Sequence, residues 1–327
     1  VSDTLVFVLL FLAVGTGWWL GFREGRTRRR KAEAVRLREY MQTLARSEDA
    51  GSLTAVARAL AFNIENFEAH LSLGALFRRR GELDRATAMH ERLRGLAGIT
   101  AEQADNADFE LGRDYLAAGM LDRAERQFQG LVDRHSAFTQ QALRQLLRIY
   151  EIERDWHSAL NVTERLAAVE PAVNRAAAHY CCELAERDPG GSAARRLLRR
   201  ALELDSYCLR ARLAQVQLDL QAGGTDAAIA GLREAAALAP TLVPLMRDQL
   251  ARWFARLPAG AGAGPAPEVA GLFEAADIAG ADGPLGGYLC GQCGFRSRSV
   301  VWCCPGCHGW GTLAPAARGG EPVRGEQ

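Results

Sequence analysis

At 327 residues, the chain is long enough for two or three structural units. Its formal net charge of +1 gives no overall pull toward nucleic acid, which is excluded as a partner. The basic residues are almost all arginine, with Lys31 the lone lysine, and this bias carries no functional meaning.

The first candidate element is Leu5–Phe22, LVFVLLFLAVGTGWWLGF, an uncharged apolar run. About 18–20 such residues are enough to span a bilayer as a helix. Trp18 and Trp19 suit an interfacial aromatic belt. Residues 1–22 are therefore expected to form a transmembrane helix. Residues 23–35 form a basic juxtamembrane segment containing Arg23, Arg26, Arg28, Arg29, Arg30 and Lys31. By the positive-inside rule this segment stays in the cytoplasm, and the bulk of the chain with it. A cleaved signal peptide is the rival reading, but it calls for positive charge before the apolar run, where only Asp3 stands.

Residues 36–257 are poor in proline and show apolar residues at helical spacing. Residues 71–93, LSLGALFRRRGELDRATAMHERL, align with residues 109–131, FELGRDYLAAGMLDRAERQFQGL. Both carry Leu-Gly, an aromatic three residues on, a turn glycine, then Leu-Asp-Arg-Ala. Leu147, Tyr150, Trp156, Ala159, Leu166 and Pro171 repeat the pattern loosely, as do Gly223, Ala228, Leu232 and Pro240. This pattern resembles the tetratricopeptide repeat, with a period of about 34 residues. Gly74, Gly112, Ala86 and Ala124 are expected where the two helices of a repeat approach. Phe77 and Tyr115 are expected to fill grooves between neighbours, and Gly81 and Gly119 to turn the chain. Residues 36–65 and 174–206 read as degenerate repeats, the second turning at Asp188-Pro189-Gly190-Gly191. The total comes to five or six. An ordinary helical bundle is the alternative. Stacked helix pairs usually present a surface that holds a peptide or a partner protein. Arg113, Arg148 and Arg212 either line that surface or are solvated, and solvation is the simpler reading of each.

Residues 258–287 have the composition of a Gly/Ala/Pro-rich linker, with a short helix expected near Val269 to Ala279. Residues 316–327 read as a flexible tail.

Residues 288–315 carry the chemistry. Two Cys-x-x-Cys pairs, Cys290/Cys293 and Cys304/Cys307, supply four thiolates to a tetrahedral ion. Iron and zinc both accept that ligand set. Two disulfides are the alternative, disfavoured by the reducing compartment that the rest of the chain suggests. Cys303 has no partner at the right spacing and reads as a bystander. Cys181, Cys182 and Cys208 sit in helical patterns and are expected as small buried residues. Gly294 and Gly309 are expected to supply positive φ beside the two knuckles, and Pro305 to stiffen the second. Tyr288, Phe295, Trp302 and Trp310 are expected to build a small local core. The pattern CxxCG with CPxC resembles the knuckles of rubredoxin, which favours one iron ion, with zinc as the alternative. His308 departs from that pattern, since rubredoxin has glycine there.

No catalytic motif is present. There is no nucleophile elbow, phosphate loop or His-containing metal motif. The chain is read as a non-enzyme, and His70, His90, His135, His157 and His179 as packing or surface residues.

Anchor, repeats and knuckle in this order resemble the lipopolysaccharide assembly protein B family. The residues that carry the likeness are Ala69-His70-Leu71-Ser72-Leu73-Gly74, Gly112-Arg113-Asp114-Tyr115, Asp122-Arg123-Ala124-Glu125, Cys182-Glu183-Leu184-Ala185, Cys290 through Phe295, Trp302, and Cys304-Pro305-Gly306-Cys307. The resemblance implies a mostly α protein: a transmembrane helix, a tetratricopeptide α-solenoid and a rubredoxin-like knuckle packed on the repeats. It implies iron at Cys290, Cys293, Cys304 and Cys307. It also implies a single-pass adaptor of the bacterial inner membrane. Such an adaptor acts with a membrane AAA+ protease on the deacetylase that commits precursor to lipid A, and with other lipopolysaccharide assembly proteins. A membrane-tethered Fe(Cys)4 redox carrier, or a general envelope scaffold, are the other readings. Relatives usually carry more helical repeat before the knuckle, where this chain has its linker.

Overall fold

The computed structural model describes residues 60–189, 191–238 and 287–316. The expected membrane helix, the basic segment, residues 36–59, Gly190 of the expected turn, residues 239–257 with Pro240, nearly all of the linker with its short helix, and residues 317–327 lie outside the described residues. Among the described residues no helix is long and apolar enough to cross a membrane.

Among the described residues ten α-helices stand in chain order: α1 Phe67–Arg79, α2 Leu83–Arg94, α3 Ala101–Ala117, α4 Leu121–Asp133, α5 Thr139–Glu153, α6 Trp156–Ala167, α7 Val173–Arg187, α8 Ser192–Leu204, α9 Leu209–Gln221 and α10 Thr225–Leu238. Four consecutive pairs, α1/α2, α3/α4, α7/α8 and α9/α10, pack as hairpins, the arrangement expected of tetratricopeptide-like repeats. Residues 174–206, read as degenerate, fall in one such pair, α7 and α8. The chain divides into two compact units at Ile149/Tyr150.

In the first unit, the hairpins are built on missing side chains. A Cβ at Gly112 would lie 2.7 Å from the Phe128 ring, and one at Gly74 would lie 2.4 Å from the His90 ring. Both glycines thus let a ring from the second helix of the pair press onto the backbone of the first. Ala86 and Ala124, on the second helices, are fully buried. Gly81 and Gly119 turn these two hairpins at φ of +79° and +72°, where a Cβ is unfavourable. Thr100 and Gln103 close a reciprocal capping box at the start of α3.

Gly112→Leu is expected to overpack this contact and lower stability by about 1–3 kcal/mol. Denaturant unfolding of the full chain checks it. An unchanged midpoint would mean that α3 and α4 do not meet at this residue.

His90 occupies the place that Phe128 takes in the next hairpin, and so it brings polar atoms into the core. Its Nδ1 lies 2.5 Å from Asp114 Oδ2 and its Nε2 3.2 Å from the Leu71 carbonyl. Asp114 accepts from Arg78 at 2.6 Å, and Arg78 also donates to Glu110 at 2.5 Å. A charge this deeply buried persists only when it is paired, and each member here has a partner.

The second unit has its helical core in α7, α8 and α9. Cys181, Cys182 and Cys208 pack there with Ala178, Ala194, Leu198 and Ala211. All three cysteines are free and buried, as their helical setting led us to expect. Burial pushes the Cys181 thiol up to about 11, so it is inert at neutral pH. Between α5 and α6 the chain turns at Arg154 with φ of 56°, a non-glycine residue in the left-handed region.

Candidate metal centre

The knuckle is a three-stranded antiparallel sheet of order β2-β1-β3, with β1 Tyr288–Cys290, β2 Arg296–Ser297 and β3 Leu313–Pro315. Leu289 pairs with Arg296 on one side and with Ala314 on the other. This register brings the loop after β1 against the loop before β3, and each loop carries one Cys-x-x-Cys pair. Each loop closes on itself in the same way. The Gly294 N–H donates to the Cys290 carbonyl at 3.0 Å, and the His308 N–H to the Cys304 carbonyl at 2.8 Å.

The residue after each pair takes positive φ, 74° at Gly294 and 58° at His308. The sequence reading placed the second positive φ at Gly309, and the structure moves it to His308. Left-handed backbone costs a non-glycine residue about 1–2 kcal/mol. Gly309 instead leaves room for the Gln292 side chain, since a Cβ there would lie 2.4 Å from Gln292 Oε1 and push that amide aside.

The sulfurs of Cys290, Cys293, Cys304 and Cys307 all lie within 4.8 Å of one another. Cys290 and Cys307 are 3.6 Å apart, as are Cys293 and Cys304. A tetrahedral ion with metal–sulfur bonds of about 2.3 Å has sulfur–sulfur edges of roughly 3.8 Å. The four thiols therefore fit one such ion. Burial, the largest single influence, raises the Cys290 thiol. The Thr312 hydroxyl and the N–H groups of Cys293 and Gln292 outweigh it, and the thiol falls to about 6. Cys290 and Cys304 are buried and Cys293 is exposed. Cys303 stands outside the set, with its sulfur 3.7 Å from the His308 carbonyl.

The four aromatic residues expected to form one local core divide into two groups. Tyr288 packs with Cys290, Cys304 and Leu313, with Phe295, Val300, Val301 and Cys307 around them. Trp302 and Trp310 turn the other way, onto the repeats of the same unit. The Trp310 ring stacks on His179 at 5.3 Å and meets Trp156 and Tyr180 edge-on at 5.8 and 5.7 Å. Its Nε1–H donates to Glu151 Oε1 at 3.1 Å, and the Tyr180 hydroxyl donates to the same oxygen at 2.5 Å. Trp302 lies 6.1 Å from His179. The socket of Glu151, Trp156, His179 and Tyr180 was missed from sequence, although Trp156 was read as a repeat position. Its only sequence trace is the run of aromatic and histidine residues across α5, α6 and α7. Gly311 keeps the approach close, because a Cβ there would lie 3.0 Å from His179 Nε2.

Burial, aided by the charges of Arg210 and Arg175, lowers His179 to about 3. In the folded chain the ring is therefore neutral, while in the unfolded chain it takes a proton near pH 6.5. Its contribution to stability is complete above about pH 6.5 and is lost as pH falls toward 3, at up to about 1.4 kcal/mol per pH unit. Urea unfolding at pH 7 and pH 5 should show a smaller acid loss in His179→Phe than in the parent. Equal losses would contradict this.

Fold and site together define a class: a helical-repeat protein carrying a four-cysteine metal-binding knuckle. Residues 288–315 match a family model described as a rubredoxin metal binding domain. The chain is 40% identical over 186 residues to lipopolysaccharide assembly protein B of Escherichia coli K12, covering 55% of this chain and 47% of that one. It is 33% identical over 239 residues to the protein of the same name from Haemophilus influenzae, covering 69% and 60%. The resemblance read from the sequence is thus borne out, and the chain is a relative of these proteins. It spans about half to three-fifths of the length of the curated relatives it matches. Among solved structures, a tetratricopeptide protein titled YrrB, with an unusual peptide-binding site, matches at 17% identity. That match has a TM-score of 0.39 and covers 62% of this chain and all of that one.

Proposed function

We propose that the chain is a membrane-anchored, non-catalytic adaptor that regulates lipopolysaccharide biosynthesis. In this reading residues 1–22 anchor it in the bacterial inner membrane and the rest lies in the cytoplasm. The repeats present the committed-step lipid A deacetylase to a membrane AAA+ protease. Cys290, Cys293, Cys304 and Cys307 hold one metal ion, iron by the rubredoxin likeness with zinc as the alternative. Bound there, the ion would supply the crosslink that so short a segment lacks in hydrophobic core.

The observation that carries the reading is the seating of Trp310 in the socket of Glu151, Trp156, His179 and Tyr180. The knuckle is thereby part of the repeat surface rather than a free carrier. The relatives' name, lipopolysaccharide assembly protein B, supports a role in that process. Affinity purification from detergent-solubilised membranes, with the N-terminal segment intact, tests the partners. Recovery of the deacetylase and the protease supports the reading. Recovery of neither, from cells that contain both, would overturn it.

The redox-carrier alternative draws on the exposure of Cys293. A red protein that bleaches reversibly with dithionite would support iron and keep this alternative open, while a colourless, zinc-loaded protein would close it.

A further inference from the structure

The Thr312 hydroxyl stands between two acceptors. Its Oγ1 is 3.2 Å from Cys290 Sγ and 3.2 Å from the Gly309 carbonyl. A hydroxyl has one proton to give. With Cys290 as a thiol, both contacts are satisfied: the S–H donates to Oγ1, and the hydroxyl donates to Gly309. Metal ligation removes the thiol proton. The contact between sulfur and Oγ1 would then set lone pair against lone pair, unless the hydroxyl turns.

Four considerations favour the turn. The Gly309 carbonyl does not depend on Thr312, because it also accepts the Cys304 N–H at 2.9 Å. A hydrogen bond to a charged acceptor is roughly twice as strong as one between neutral groups. The backbone holds Thr312 in place, with its carbonyl accepting the Gly291 N–H at 2.9 Å and Leu313 in register with Cys290. Cys290 is only 2% exposed, so water does not compete well for its sulfur.

We propose that Thr312 is the side-chain donor that tunes the metal centre. In the metal-bound chain its hydroxyl points at Cys290 Sγ, draws electron density from that thiolate, and favours the lower oxidation state of a redox-active ion. Thr312 is a positioning residue of the centre and not a ligand. The inference rests on the four-cysteine ligation proposed above.

The test uses the full chain reconstituted with ferrous iron. Metal per chain is measured first, then the reduction potential and the sulfur-to-iron charge-transfer absorption. Thr312→Val keeps the shape and the methyl group but removes the donor. It should retain iron, shift the ferric-to-ferrous ratio at a fixed potential about tenfold toward ferric, a fall of about 59 mV for one electron, and move the charge-transfer band to longer wavelength. Thr312→Ser should restore the parent values. An unchanged potential in Thr312→Val would overturn the proposal, as would a shift in Thr312→Ser equal to that in Thr312→Val. A parent chain that takes up no iron, zinc or cobalt would remove the four-cysteine reading itself and this inference with it.

Discussion

Cys304→Ser should purify without metal, and its knuckle should lose the structure described here. Cys304 is fully buried at the centre of the cluster formed by Tyr288, Cys290 and Leu313. Serine removes a thiolate and leaves a hydroxyl in its place. Metal binding supplies about 10–16 kcal/mol in isolated small zinc domains, so this is the largest effect expected of any single substitution in the chain. Cys307→Ser should behave alike. Cys303→Ser should keep one ion per chain, because its sulfur lies outside the group of four. The core of Cys181, Cys182, Leu198 and their neighbours does not include the knuckle, so helicity should persist in all three variants. Metal analysis and far-ultraviolet circular dichroism read both results. Loss of metal in Cys303→Ser, or its retention in Cys304→Ser, would reassign the ligands.

Trp310→Ala should separate seating from metal binding. The ring fills a socket lined by His179, Trp156 and Tyr180, and truncating a buried tryptophan costs about 3–5 kcal/mol. Glu151 would also lose one of its two donors there and keep the Tyr180 hydroxyl. Trp310 is not a member of the cluster around the cysteines, so the ion should remain. Hydrogen exchange should rise in α7 and in residues 300–316, with metal per chain unchanged. Protection equal to that of the parent would show that the socket does not hold the knuckle in solution.

Sequence legibility followed the range of each constraint. The hairpins were readable because Gly74 and Gly112 recur with their turn glycines at a fixed offset, each answering to a contact within one repeat. The four thiols were readable because Cys-x-x-Cys closes locally. The socket was hidden for the opposite reason. Trp310 and Glu151 are 159 residues apart, and helical periodicity says that a position is apolar without saying what covers it. The Trp302 and Trp310 rings therefore looked like material for a local core. His90, read as a packing or surface residue, does pack in the core, but its polar partners Asp114 and Arg78 were missed because its counterpart Phe128 needs none. The positive φ at His308 was assigned to Gly309 by residue type, whereas the repeated geometry of the two loops decides it. The expected membrane helix falls outside the described residues, so the anchor stays a proposal drawn from Leu5–Phe22.

The adaptor account stands or falls on whether the seated knuckle matters to the partner. The direct measurement is the half-life of the lipid A deacetylase in cells whose only copy of this protein is the Trp310→Ala variant, expressed at the parent level. The account predicts a longer half-life than with the parent chain, because the metal is present but the knuckle no longer forms part of the repeat surface. A half-life equal to the parent's would contradict it.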